Sequence, residues 1–273
     1  MFRIIRLIVG ILLIVLAVII ALDQFAGTSI LKNLFVSKNG ISVGVNGNTT
    51  LNYKDGERYQ AGNGSVDARK VKNLDINWIS GGITLEEGSS DTVSFSETCS
   101  STMEKDNLLH WYLDGDTLRI QWSKSGLKAF NKSKDLTIKL PSGLELQSLN
   151  INAVSADVKG NKLHIKEITA NTVSSQVNFT SLSLRNSFEA NSVSGNYTLV
   201  LTSRPSSIAF NGVSGNLDLT LPKDTGFTVD LSTVSGNIKT SVPTTGDKKH
   251  QTAGNGEVKI SCESVSGNVS LSY

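Results

Sequence analysis

The chain is poor in the residues from which most chemical sites are built. Only two of its 273 residues are cysteine and three are histidine. Cys99 and Cys262 permit at most one internal disulfide, too few for a small domain held together by staples. A bridge would need two distant regions to meet in space, and buried free thiols on strands are the expected state. His110, His164 and His250 are scattered, none at a metal-ligand spacing from either cysteine. Also missing are the phosphate-cradling Gly-x-x-x-x-Gly-Lys-Ser/Thr phrase, the His-Glu-x-x-His pair and the Gly-x-Ser-x-Gly elbow. No catalytic, cofactor-binding or metal-ligating residue is therefore expected, and no cofactor. Charge excludes another class. With Arg3 and Arg6 set aside, 24 basic residues face 24 acidic ones, so no general field is available to hold a nucleic acid.

What the sequence does have begins with an aliphatic run. From Ile4 to Leu22 only Arg6 is charged, and Gly10 is the sole other interruption. At ~1.5 Å per residue a helix of this length just spans the hydrocarbon layer. Arg3 and Arg6 precede the run and Asp23 follows it. The positive-inside tendency then puts the N-terminus in the cytoplasm and the rest of the chain outside. A cleaved signal peptide shares these features, but the run is long for one and no small-x-small site stands close behind it. Residues 1–24 are expected to be a single-pass membrane anchor in contact with lipid. Residues 25–70, rich in Gly, Asn and Thr, read as a juxtamembrane spacer with some strand in it.

Strand signals start at Leu74-Asp75-Ile76-Asn77-Trp78, where apolar residues alternate. Thr92–Glu97, Leu108–Leu113 and Thr117–Trp122 follow, with Asp114-Gly115-Asp116 as a hairpin turn. Trp78, Phe95, Trp111, Tyr112 and Trp122 concentrate here and read as a plug for one end of a repeat stack. Exposed rings stacking on carbohydrate are the competing account. Lys124–Asp135 reads as a surface loop before the strand Leu136–Leu140.

One phrase then returns six times. It begins at Val154, Val173, Val193, Val213, Val234 and Val265, at spacings of 19, 20, 20, 21 and 31 residues. In the last four copies it reads Val-Ser-Gly-Asn, with Ala156 and Ser175 standing for the glycine in the first two. A period near twenty with β-branched anchors is the mark of stacked coils that bury their apolar faces against one another. The six valines are expected to form one internal ladder, with Ser155 through Ser266 beside it. Gly195, Gly215, Gly236 and Gly267 should turn tight corners, and each following asparagine should hydrogen-bond backbone. The long last interval predicts that Thr240–Gly256 loops out of the stack. Polysaccharide cleavage would need carboxylates on adjacent coils facing one cleft. Asp157, Glu189, Asp218 and Asp230 instead occupy different phases of the repeat.

The run Leu74–Ile83, the Val-Ser-Gly-Asn coils and the ending Gly254–Ile260 plus Val265–Val269 together resemble the bacterial adhesin-like domains of unknown function. The likeness covers roughly residues 70 to 273. It implies a membrane-tied, β-helical domain, in some members associated with envelope-stress sensing, and it brings no catalytic residues. The fold class expected is all-β: a single-stranded parallel β-helix or β-roll solenoid over 71–273, preceded by one N-terminal transmembrane helix. The function implied is a non-enzymatic surface scaffold or interaction module, whose partners are membrane lipid and another envelope protein or a wall polymer, with no nucleic acid. An accessory role in an envelope stress response and a polysaccharide-acting enzyme are the alternatives.

Overall fold

Alternating apolar residues in runs separated by about twenty positions should make strands that stack in register, and the computed structural model has this arrangement. It describes residues 53–127 and 132–273. The expected anchor at 1–24 and the first part of the 25–70 spacer lie outside the described residues. Among the described residues no helix is long and apolar enough to cross a membrane. The chain divides into two units. One includes described residues 53–59 and 123–127, where the Tyr53 N–H donates to Ser125 Oγ at 2.9 Å. The other, residues 60–122 and 132–273, carries the sixteen described strands.

The strands are β1 (Gln60–Ala61), β2 (Gly64–Asp67), β3 (Asn73–Gly88), β4 (Thr92–Cys99), β5 (His110–Asp114), β6 (Thr117–Gln121), β7 (Lys134–Pro141) and β8 (Glu145–Asn161). They continue with β9 (His164–Leu201), β10 (Ser207–Thr220), β11 (Phe227–Ser235), β12 (Ile238–Thr240), β13 (Thr245–Gly246), β14 (His250–Ala253), β15 (Val258–Ser266) and β16 (Val269–Ser272). The long strands β3, β8, β9 and β10 pair in parallel, rung against rung: Leu74 opposes Leu149, Leu149 opposes Ile168, and Phe188 opposes Ile208. The fold is thus all-β with a solenoid-like repeat. The predicted hairpin is present, with Asp114 opposite Thr117 and Gly115 at a φ of 63° that suits a residue without a Cβ. Residues 60–67, inside the stretch read as spacer, supply β1 and β2, which pair antiparallel with β5 and β4.

The internal ladder of valines is overturned. None of Val154, Val173, Val193, Val213, Val234 or Val265 belongs to the core, and Val234 is 84% exposed. Counting from Val154, Val173 and Val265, the buried positions are five, three and one residues before the valine and two, four and six after it. In the second copy these are Ile168, Ala170 and Thr172, then Ser175, Val177 and Phe179. Around Val193 and Val213 the outer positions keep this pattern while the ones nearest the phrase are in part half-buried, and after Val234, on the last rung, all three are half-buried. Two alternations of opposite parity meet at the valine, so the chain must bend there; the valine leaves the core, half-buried in every copy but Val234, and the serine after it is exposed. Pairing records the same bend. Trp78 opposes Ala153 and Ser80 opposes Ser155, while Gly212 opposes Ser192 and Ser214 opposes Ser194; the residue between is skipped in each case. The serines do lie rung over rung, as expected.

The core consists of rows on either side of this bend. Before it run Leu74, Leu149 and Ile168, and later Phe188, Ile208, Ile260 and Val229. After it run Tyr197, Leu217, Val269 and Ile238. Each is buried except Ile238, on the last rung, which is half-buried. Tyr197 packs its ring edge-on against Phe188 and Phe210, at centroid distances of 6.1 and 5.3 Å. Its hydroxyl meets Thr172 Oγ1 at 2.7 Å, so this buried hydroxyl is satisfied.

The expectation that Thr240–Gly256 loops out of the stack also needs correction. β14 returns antiparallel against β11, with His250 opposite Asp230, and β13 pairs outside β14. The chain then re-enters the stack: β15 and β16 insert between β10 on one side and β11 and β12 on the other. The last repeat in sequence is the last but one in space. A strand at an open edge loses its ladder partner, so the excursion closes an edge instead of leaving it.

Candidate functional site: the polar corner groove

The bend that turns Val and Ser outward also lines up the phrase residues of successive rungs into a groove of about 520 Å3. One wall is the serine row Ser174, Ser194, Ser214 and Ser266; Asn196, Asn216 and Asn268 form another; and Gly195, Gly215 and Gly267 are the floor. Asp157 and Gln176 lie toward one end. Glycine is required where the rungs approach most closely. A Cβ on Gly215 would stand 1.9 Å from the Gly195 carbonyl oxygen, against backbone that cannot yield.

The asparagines act as expected, with a direction. Asn216 donates its backbone N–H and Nδ2 to Asn196 Oδ1 at 3.2 and 3.0 Å, and Asn268 does the same to Asn216 Oδ1. The Asn237 N–H then donates to Asn268 Oδ1 at 3.1 Å. Aspartates take the acceptor role on earlier rungs: Gln176 N–H to Asp157 Oδ1 at 2.9 Å, and Gly82 N–H to Asp135 Oδ1 at 2.7 Å. These bonds satisfy the backbone amides that the bend removes from the strand ladder.

A second asparagine ladder was missed. Asn152 donates to Asn77 Oδ1, Asn171 to Asn152, Asn191 to Asn171 and Asn211 to Asn191, at 2.8, 2.9, 3.0 and 3.1 Å. The signal was in the sequence, because Asn152, Asn171, Asn191 and Asn211 each stand two residues before a phrase valine, and Asn77 stands two before Ile79. The ladder stops where Ser232 and Glu263 take that position.

The aromatic cluster is chiefly a core. Trp78 and Trp122 are fully buried, 5.0 Å apart and edge-on, and Phe95 is buried too; Trp111 and Tyr112 are half-buried. Against both indoles lies the ammonium of Lys134, which is wholly buried, 4.5 Å from the Trp122 ring centre and 5.0 Å from that of Trp78. Its Nζ pairs with Glu97 Oε2 at 2.7 Å and donates to the carbonyl oxygens of Asn107 and Trp122. Burial lowers the Lys134 pKa, and Glu97 opposes that shift. This lysine lies in the stretch read as a surface loop, whose end is instead the start of β7.

The four carboxylates do not converge. Asp157 lines the groove, while Glu189 and Asp230 share an outward row in which Ala209 and Ser261 separate them, and Asp218 stands in a third row. Glu189 accepts from Asn191 Nδ2, and Asp230 pairs with His250 Nδ1 at 2.6 Å. Cys99 is half-buried and Cys262 buried, both as free thiols. Among the described residues no three His, Cys, Asp or Glu side chains come together as metal ligands. No histidine lines the groove, and its one carboxylate, Asp157, accepts the Gln176 backbone N–H. The arrangement offers repeated hydroxyls and amides at the spacing of stacked strands, ~4.8 Å.

A repetitive β-sheet chain with a polar corner groove is the class that the geometry defines. Sequence comparison makes it narrower: the family model Toastrack DUF4097 matches residues 71–199 and 184–272, and the chain belongs to that family. Among solved structures, a "putative cell adhesion protein" from Clostridium sporogenes is similar at 13% identity and a TM-score of 0.48, over 78% of this chain and 99% of that one. A "putative adhesin" from Bacteroides fragilis is similar at 13% identity and a TM-score of 0.35, over 76% and 95%. No curated protein matches the chain.

Proposed function

We propose that the chain is a non-catalytic interaction module of the cell envelope. Residues 1–24 anchor it in the membrane, 25–70 form a spacer that merges into the fold, and 71–273 wind outside the cell as a single-stranded parallel β-helix. The observation that carries this reading is the corner groove. Its hydroxyls and amides repeat from rung to rung on a rigid support, and no histidine stands beside its serines. Such a surface suits a polymer that is itself repetitive and rich in hydroxyl and amide groups, as a wall glycan is. The separated carboxylates argue against polysaccharide cleavage, which needs a pair flanking one bond at roughly 5–10 Å.

The test has two arms. Protease applied to intact cells should remove residues 71–273 and leave the N-terminal segment in the membrane fraction; a wholly protected chain would reject the topology. Purified wall polymer should bind the full-length chain, and Ser214→Arg, which fills the groove from an exposed position, should abolish that binding without shifting the melting temperature. Equal binding by the variant would reject the groove as the site.

A further inference from the structure

The stack has four half-edges, two at each end, because every rung bends into two strands. Three are closed by antiparallel strands. At the N-terminal end β6 is covered by β5 and β1, and β7 by β4 and β2. At the other end β11 is covered by β14 and β13. The fourth is different: β12 pairs with β16, and among the described residues no strand lies beyond it.

Hydrogen bonding shows which groups this leaves open. The Asn237 carbonyl accepts from Val269 N–H at 3.1 Å, and Ser241 N–H donates to the Leu271 carbonyl at 3.0 Å, so both face inward. In a parallel ladder alternate residues send both N–H and C=O to the same side. Ile238 and Thr240 therefore direct theirs outward, toward the open edge. The asparagine relay ends at the same place. Asn237 donates to Asn268, but its own Oδ1 receives no donor among the described residues. Beside it, Val234 is the most exposed large apolar side chain described. Exposed Lys239 lies at the centre of the edge, and Lys248 is exposed in the neighbouring loop.

We propose that this edge, Ile238–Thr240, is a docking site for an extended acidic segment of another protein, which adds as a parallel strand beyond β12. The strand completes the ladder at Ile238 and Thr240, an amide donor opposite Asn237 continues the relay, and a carboxylate opposite Lys239 neutralises it. A second copy of the chain is disfavoured by the same lysine. Two-fold antiparallel pairing about the centre of β12 sets Lys239 against Lys239, the like-charge arrangement by which exposed edges avoid self-association. This surface is distinct from the corner groove, and neither reading depends on the other.

The probe is a fluorescein-labelled peptide Ser-Thr-Asn-Val-Glu-Val-Thr, titrated with the full-length chain in detergent and followed by anisotropy. Saturable binding is expected, roughly threefold to fivefold weaker when lysine replaces the glutamate. The Lys239→Glu variant should invert that preference. Thr240→Pro, which removes an outward N–H, should lose both peptides while its thermal melt is retained; should it fail to fold, the Lys239→Glu inversion decides alone. No saturable binding, equal binding of the two peptides, or a preference unchanged in Lys239→Glu overturns the proposal. So does a dimer in sedimentation that Thr240→Pro dissolves, since a second copy then fills the edge.

Discussion

Truncating a residue of an inward row and a valine of the phrase should give opposite outcomes. Leu217 has no exposed surface and sits four residues after Val213, with Tyr197 on one neighbouring rung and Val269 on the other. Leu217→Ala removes three buried carbon atoms and leaves a void that two fixed rungs cannot fill, so it should cost about 2–5 kcal/mol. For a unit of this size that lowers Tm by roughly 4–20 °C, at about 2–4 °C per kcal/mol. Val234→Ala removes a side chain that is 84% exposed and should cost no more than about 0.5 kcal/mol. Thermal unfolding followed by far-ultraviolet circular dichroism reads both. A Val234→Ala shift equal to that of Leu217→Ala would refute the reasoning, because it would return the phrase valines to the interior.

Other consequences follow from particular contacts. Asp230 raises the His250 pKa by hydrogen bonding and charge. Their pairing should therefore stabilise fully below the unfolded histidine value of about 6.5 and fade as pH rises through the higher folded value. A histidine NMR titration should show His250 above 6.5, and Asp230→Asn should return it toward that value. Lys134→Ala leaves Glu97 buried without its cation and should destabilise by about 3–5 kcal/mol, whereas Lys134→Met paired with Glu97→Gln should recover much of the loss in denaturant melts. Asn152→Ala breaks the inner asparagine ladder in its middle, stranding acceptor and donor on Asn77 and Asn171, and should cost about 1–3 kcal/mol. An Asn152→Ala protein as stable as the parent would show the ladder to be idle.

The period, the strand content and the Asp114-Gly115 hairpin were legible in the sequence, because each rests on local pattern. The parity of the phrase was not. Each valine has the same parity as the buried residues two, four and six places after it, so a downstream reading puts it inside. Only the upstream residues, such as Ile168, Ala170 and Thr172, reveal the opposite phase. Rung order was hidden for another reason. The phrases at Val213, Val234 and Val265 are nearly identical, so pairing 213 with 265 satisfies the same bonds as pairing 213 with 234. In the observed order the β13–β14 excursion covers β11 and brings the chain back inside it. Lys134 gave no local signal at all, since its partners Glu97 and Trp78 are brought to it by strands far apart in sequence. The inner asparagines were periodic and visible, but an asparagine beside a turn phrase reads as turn chemistry, and only stacking turns it into a ladder.

The bend at each Val-Ser pair, where inward positions change parity, sets both the core rows and the groove. Single cysteines placed at Ile208, Phe210, Val213, Ser214, Leu217 and Leu219 in a Cys99→Ser background, and reacted with a polar maleimide, test it directly. Positions 213 and 214 should both label rapidly, while 208, 210, 217 and 219 stay protected until the protein unfolds. A protected residue at 213, with strict alternation running unbroken through 214, would contradict it.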